Sequence, residues 1–238
     1  MRIDVKRGLA AGAARQLAPK VADLAPGLTS TFVREALHRA ISGVGPLPPA
    51  AAAAEAQLRE QHGDVDKAVH EVIENHVRYA GFEGLVTNLG GLVTAALVAP
   101  LNISGLALIQ CRMVAGIAHL RGYDLDDPRV RNAILVAILG EDSVNRMVKK
   151  RDLPAPPMAI ATAPQHDPGI DRTITSAVAS DMVSRVVGRR LAATVGKRIP
   201  VVGGLVGAGA DGFSTWKVGR YADREFLPRQ WPQPGTNG

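Results

Sequence analysis

From Gly84 to Cys111 the chain carries no charged residue across 28 consecutive positions. An apolar run of that length has two destinations, the interior of a protein or a lipid bilayer. A membrane-crossing helix needs roughly 20 such residues, so length alone permits either. Pro100 sits inside the run, followed by Asn102 and Ser104. A proline in a helix interior removes a hydrogen bond and crowds the preceding turn. Here it is expected to divide the run into two helices of about 15 and 17 residues. At 1.5 Å per residue each reaches about 22–26 Å, short of a hydrocarbon core of about 30 Å. The spacing predicts a buried helical hairpin over 84–120, with reversible entry into lipid left open.

The remainder also reads as helix. Thr29 or Ser30 can cap a helix carrying Phe32, Val33, Leu37 and Ile41 on one side and ending at Gly43. Ala50 to Gln61 is a run of strong helix formers stopped by His62-Gly63. Asp64 opens the next helix, where Val65, Val69, Val72, Ile73 and Val77 recur every three or four residues. Asp126-Asp127-Pro128 and Asp171 are the corresponding starts further on. No alternating strand with a hairpin turn is present, so the predicted fold is all-α: a compact multi-helix domain with a central apolar hairpin and a Gly-rich C-terminal helix. The 238 residues, 46% of them apolar, suffice for one core. The domain is expected over 28–227, after a basic helical segment at 1–27 and before a loose tail at 228–238. Five prolines between Leu153 and Gly169 predict an exposed internal linker over 153–169.

Charge and composition narrow the function classes. The formal charge is +6. Arg146, Lys149, Lys150 and Arg151 form one basic cluster; Arg185, Arg189, Arg190, Lys197 and Arg198 form another, with no acid between 185 and 198. Either can be a solvated helix face. The second runs directly into a glycine-rich apolar segment, which suits an anionic membrane surface better than a nucleic-acid groove. Aromatics make up only 4% of the chain, poor for base stacking, so no nucleic-acid partner is expected. The single cysteine, Cys111, excludes an internal disulfide and any multi-thiolate metal site. The first twenty residues carry six charges and no secretory h-region, so cytoplasmic residence, with peripheral contact at the inner membrane face, is the expectation.

Several segments, in order, carry a resemblance. They are Gly81-Phe82 through Leu92 and on to Ala99-Pro100 and Asn102; Gln110-Cys111-Arg112-Met113; Ile117 through Tyr123-Asp124; Ile199 through Gly207; then Asp211 and Thr215 through Gly219. Together, from about residue 30 to 227, the chain resembles the EcsC family of bacterial proteins. The resemblance implies an all-helical protein, cytoplasmic or membrane-associated, of a family named for a product encoded beside an ABC-type exporter. It implies no established activity, cofactor or catalytic set. Gln110, Arg112, Tyr123, Asp124, Asp211 and Thr215 match as motif residues only.

Read physically, Gly203, Gly204 and Gly207 sit in a helix where each glycine costs about 1 kcal/mol relative to alanine. Close approach of a second helix compensates, in a core or in lipid. Asp211 follows eleven apolar positions, with Thr215 one turn on. A carboxylate there needs partners or a proton. Arg112 ends the uncharged run and stands in a stripe with Gly116 and His119. It is read either as a bridge to Asp211 or another acid, or as the anion-binding side of a pocket. His119 itself reads as a helix-end histidine. Asp126 or Asp127 is accounted for by capping, and Asp66, His70 and Glu74 by a surface helix face, so neither metal nor cofactor is expected. No nucleophile–base motif is present. The leading expectation is a helical protein acting at the membrane face. The alternatives are an enzyme on an apolar substrate with an Asp211/Arg112 site, and a scaffold for a membrane transporter.

Overall fold

The computed structural model describes residues 26–43, 45, 47–89, 91–195 and 200–229; within its helices, the side chains at 26–30, 32, 82–105 and 183–208 lie outside that description. Among the described residues there are nine helices and no strand. They are α1 (Pro26–Ser42), α2 (Ala50–Glu60), α3 (Val65–Leu89), α4 (Gly91–Leu120), α5 (Pro128–Ala137), α6 (Glu141–Lys150), α7 (Pro157–Ala161), α8 (Pro168–Val195) and α9 (Pro200–Glu225).

Local chemistry sets most of the ends. The Asp64 carboxylate accepts the Lys67 backbone N–H at the start of α3. Asp127 does the same for Arg129, with Pro128 in the first turn of α5. His62 and Gly63, both at positive φ, close α2. Gly43 ends α1 at φ +84°, and a Cβ there would lie 2.5 Å from the Leu47 carbonyl oxygen, so the turn admits no side chain.

One core joins the helices, with Phe226, Ile73, Met113, Ile117 and Ile134 among its fully buried side chains. Its spine is α3, α4 and α9. Gly116 of α4 faces Val72, while Gly219 of α9 faces both Ile73 and Met113, and Gly212 faces Val77 and Gly81. Residue numbers on α3 fall as those on α9 and α4 rise, so α3 runs antiparallel to both. Gln110 meets Thr215 and Arg121 meets Asp223, so α4 and α9 are parallel. The C-terminal half of α3 and the N-terminal halves of α4 and α9 therefore share one end of the spine. That end holds both the uncharged 84–111 run and the apolar start of α9.

Several expectations are corrected. Pro100 does not divide the apolar run: α4 continues through it for 30 residues. α3 ends at Leu89 and α4 begins at Gly91, so α3 and α4 are the arms of the hairpin. Proline's fixed φ is helical, and the buried C-terminal half of α4 holds the helix direction, so one lost hydrogen bond is tolerated. α1 begins at Pro26, a turn before Thr29. Asp167, not Asp171, accepts the Gly169 N–H at the start of α8. The proline-rich 153–169 segment is not an exposed linker: it contains α7, which lies on α5, and it buries Leu153, Pro157, Ile160 and Ala161. At the start of the expected tail, the Arg229 N–H donates to the Arg121 carbonyl at 2.8 Å. The expected helix within 1–27 and the tail beyond 229 lie outside the described residues.

Candidate functional site

The motif residues separate into three places. At the first, Gln110 of α4 and Thr215 of α9 are both buried, and the Gln110 amide donates to the Thr215 hydroxyl at 3.3 Å. Asp211 is half-buried one turn earlier on α9. Among the described residues Arg112 neighbours His76 and Tyr79 of α3 rather than Asp211. Arg112 leaves α4 on the side of Gly116, whose nearest neighbours are Ala54 of α2 and Val72 of α3, whereas Asp211 rides on α9.

At the second place, Arg112 is half-buried beside His76 and Tyr79 of α3. Burial lowers its pKa from the ordinary arginine value, with Tyr79 opposing the shift. His76 Nδ1 donates to the Val72 carbonyl at 2.7 Å, and its ring meets Tyr79 edge-on at 6.1 Å. Burial pushes the His76 imidazole down to about 4 against the stabilising Val72 bond, and the Arg112 charge adds to the depression. His76 is therefore neutral at physiological pH. Cys111, next to Arg112 in sequence, is fully buried, and burial pushes its thiol up to about 12; it stays protonated and unreactive.

The third place, residues 119–124, is a clasp. His119 Nε2 meets Glu55 of α2 at 3.0 Å. Arg121 donates to Asp66 of α3 and Asp223 of α9, both at 2.7 Å. Gly122 sits at φ +83°, where a Cβ would lie 2.8 Å from the Arg229 carbonyl oxygen. Tyr123 is buried edge-on against Phe226 at 5.1 Å, with the Arg229 guanidinium over its ring. Asp124 is exposed and accepts the Asp126 N–H. His119 and Arg121 tie the end of α4 to α2, α3 and α9, while Asp124 bonds within its own turn.

On the outside, Phe213 and Trp216 of α9 are 62% and 42% exposed and stack on one another, centroids 6.0 Å apart. Tyr79 on neighbouring α3 is 62% exposed. Sequence motifs did not single out these three or His76. The available signal was the i, i+3 spacing of two large aromatics directly after an apolar run, in a chain poor in aromatics. Arg146, Lys149, Lys150 and Arg151 are all exposed at the C-terminal end of α6. Glu141 and Asp142, at the other end of that helix, bind Arg224 and Lys217 of α9. The side chains of Arg185, Arg189, Arg190, Lys197 and Arg198, and the surroundings of Gly203, Gly204 and Gly207, lie outside the described residues. Among the described residues no helix is long and apolar enough to cross a membrane.

Close approach over bare glycine backbone is seen further along α9. A Cβ at Gly219 would lie 3.0 Å from Ile73 and 3.1 Å from Met113 Sδ, and one at Gly212 would lie 3.6 Å from the Val77 carbonyl oxygen. The sequence model of the EcsC protein family matches residues 13–230. No curated protein and no solved structure matches the chain.

Proposed function

The chain belongs to the EcsC protein family, and on that premise we propose that it works as a peripheral membrane protein, seating the end of its α3–α4–α9 spine that holds the uncharged 84–111 run on an anionic bilayer. The observation that carries this reading is the exposed Phe213–Trp216 stack, with Tyr79 on the adjoining helix. Aromatic side chains left in water beside a charge-free segment suit the bilayer interface, where an apolar ring and a polar edge are both accommodated. Burying an aromatic ring is worth about 1.5–3 kcal/mol.

Charge supports the same partner. The exposed cluster at 146–151 has no carboxylate within ion-pair distance among the described residues. In sequence, one residue separates the acid-free basic stretch 185–198 from Pro200, the first residue of α9. Each Lys or Arg near an anionic leaflet contributes about 1 kcal/mol, screened by salt. Reversible, salt-sensitive docking follows.

Flotation with vesicles containing phosphatidylglycerol tests the reading. The protein is expected to float at low salt and to be released progressively as salt rises. The double variant Phe213→Ser/Trp216→Ser is expected to lose about tenfold or more in partitioning, from the aromatic burial term alone. Absence of wild-type flotation at low salt ends the proposal.

A further inference from the structure

Four arginines among the described residues are partly buried: Arg112, Arg121, Arg129 and Arg131. Three of them close on carboxylates: Arg121 on Asp66 and Asp223, Arg129 on Asp127, and Arg131 on Asp126. Arg112 has neither an ion pair nor a side-chain hydrogen bond among the described residues. A guanidinium keeps its charge and presents five N–H donors in a planar fork; those of Arg112 are not among the buried unpartnered atoms, so they stay open to solvent and to an incoming anion. Neither α3 neighbour is that anion. His76 is neutral, with Nδ1 already committed to Val72, and Tyr79 is a phenol whose ring is largely in solvent.

Position supplies the rest. Arg112 is the first charged residue after the 28 uncharged positions. It lies level with His76 on α3, and Val77, the next residue, faces Gly212, beside Phe213. Arg112 therefore stands at the height of the exposed aromatics, at the C-terminal end of the uncharged part of α4, with Arg78 and Glu83 of α3 and Asp211 of α9 as the charged residues of the neighbouring helices nearest that height in sequence. At a bilayer surface that height is the headgroup layer, and the anion found there is phosphate.

We infer that Arg112, flanked by Tyr79, is the seat of a single phosphate group, that of a lipid headgroup, received as the protein docks. The site deepens the membrane reading and rests on it for the source of the phosphate, although its chemistry, fork-like donation to a phosphate oxyanion, does not depend on a bilayer.

Two soluble probes and one vesicle arm test this. In the first arm, the full chain is titrated with dihexanoyl phosphatidic acid below its micelle concentration, or with inorganic phosphate, while the His76 imidazole signals are followed by NMR. The His76→Gln variant provides their assignment. A saturable shift with the short-chain lipid is expected, together with a rise of the His76 midpoint from about 4, because the bound anion offsets the Arg112 charge. Arg112→Gln, which removes no ion pair and is expected to melt as the wild type does, abolishes the response; Arg112→Lys weakens it. No saturable shift with either probe, or an equal shift in Arg112→Gln, overturns the seat. An equal response to both probes supports the phosphate seat and overturns the headgroup as its source.

In the second arm, Arg112→Gln is expected to partition about tenfold less onto phosphatidic acid vesicles than the wild type. Equal partitioning overturns the headgroup contact. Wild-type protein that fails to float but keeps the soluble-probe shift overturns the docking reading and leaves the seat standing.

Discussion

A histidine pushed to about 4 makes His76 a pH-dependent element of stability. Its ordinary value is 6.5. Above that, both folded and unfolded chains hold it neutral, and its buried, Val72-bonded state contributes in full. As the pH falls below 6.5 the unfolded chain takes up the proton first, so stability is lost until the folded form also protonates near 4. Between pH 7.5 and 4.5 the loss is on the order of 2–3 kcal/mol. Urea unfolding across that range is expected to show it, and His76→Gln to remove most of the slope; identical slopes for both proteins would refute the assignment. The glycines make a second comparison at this scale. Gly219→Ala forces a methyl group against Ile73 and Met113 and is expected to destabilise by about 1–3 kcal/mol. Gly209 faces open space on the same helix, so Gly209→Ala is expected to stabilise by up to about 1 kcal/mol. Thermal melts of the pair distinguish a packing glycine from a merely permissive one.

The hairpin illustrates what changes when elements are considered. Composition marks 84–120 as apolar and helical, and Pro100 as its obvious weak point. The helix instead continues through Pro100, because α4 is held by α1, α2, α3, α5 and α9. The Gln110–Thr215 bond is the polar lock between α4 and α9. Thr215→Val or Gln110→Met alone leaves a buried polar group unmade and is expected to cost about 1–3 kcal/mol, whereas the double variant is expected to recover most of that loss. A cycle in which the two costs simply add would mean the hydrogen bond contributes no coupling. The six capping and stop signals read from sequence had mixed outcomes for a related reason. Asp64, Asp127 and Gly43 act within one turn of backbone and are found where the residues predict. Asp171 instead accepts from Asn132 across the α5–α8 contact and from His166 in the segment before α8.

For the whole molecule, the antiparallel–parallel arrangement of α3, α4 and α9 collects the uncharged 84–111 run and the apolar start of α9 at one end and leaves the charged clasp of Arg121, Asp66 and Asp223 toward the other. If that apolar end meets anionic lipid, the exposed α6 cluster adds to the attraction. The triple variant Lys149→Gln/Lys150→Gln/Arg151→Gln is then expected to partition at least tenfold more weakly onto phosphatidylglycerol vesicles, with a shallower salt dependence. Partitioning unchanged at low salt would assign those charges to the C-terminal dipole of α6 alone. Helical class, the apolar segments and most helix starts were determined by the sequence itself, because periodicity, capping and backbone propensity act over a few neighbouring residues. Partner choice was not: whether Arg112 meets Asp211, which glycine is approached by a neighbour, and which motif residues are spent on structure all depend on which faces the helices turn toward one another. Only the tertiary structure decided those, because contacts between residues about a hundred positions apart depend on packing that no local pattern encodes.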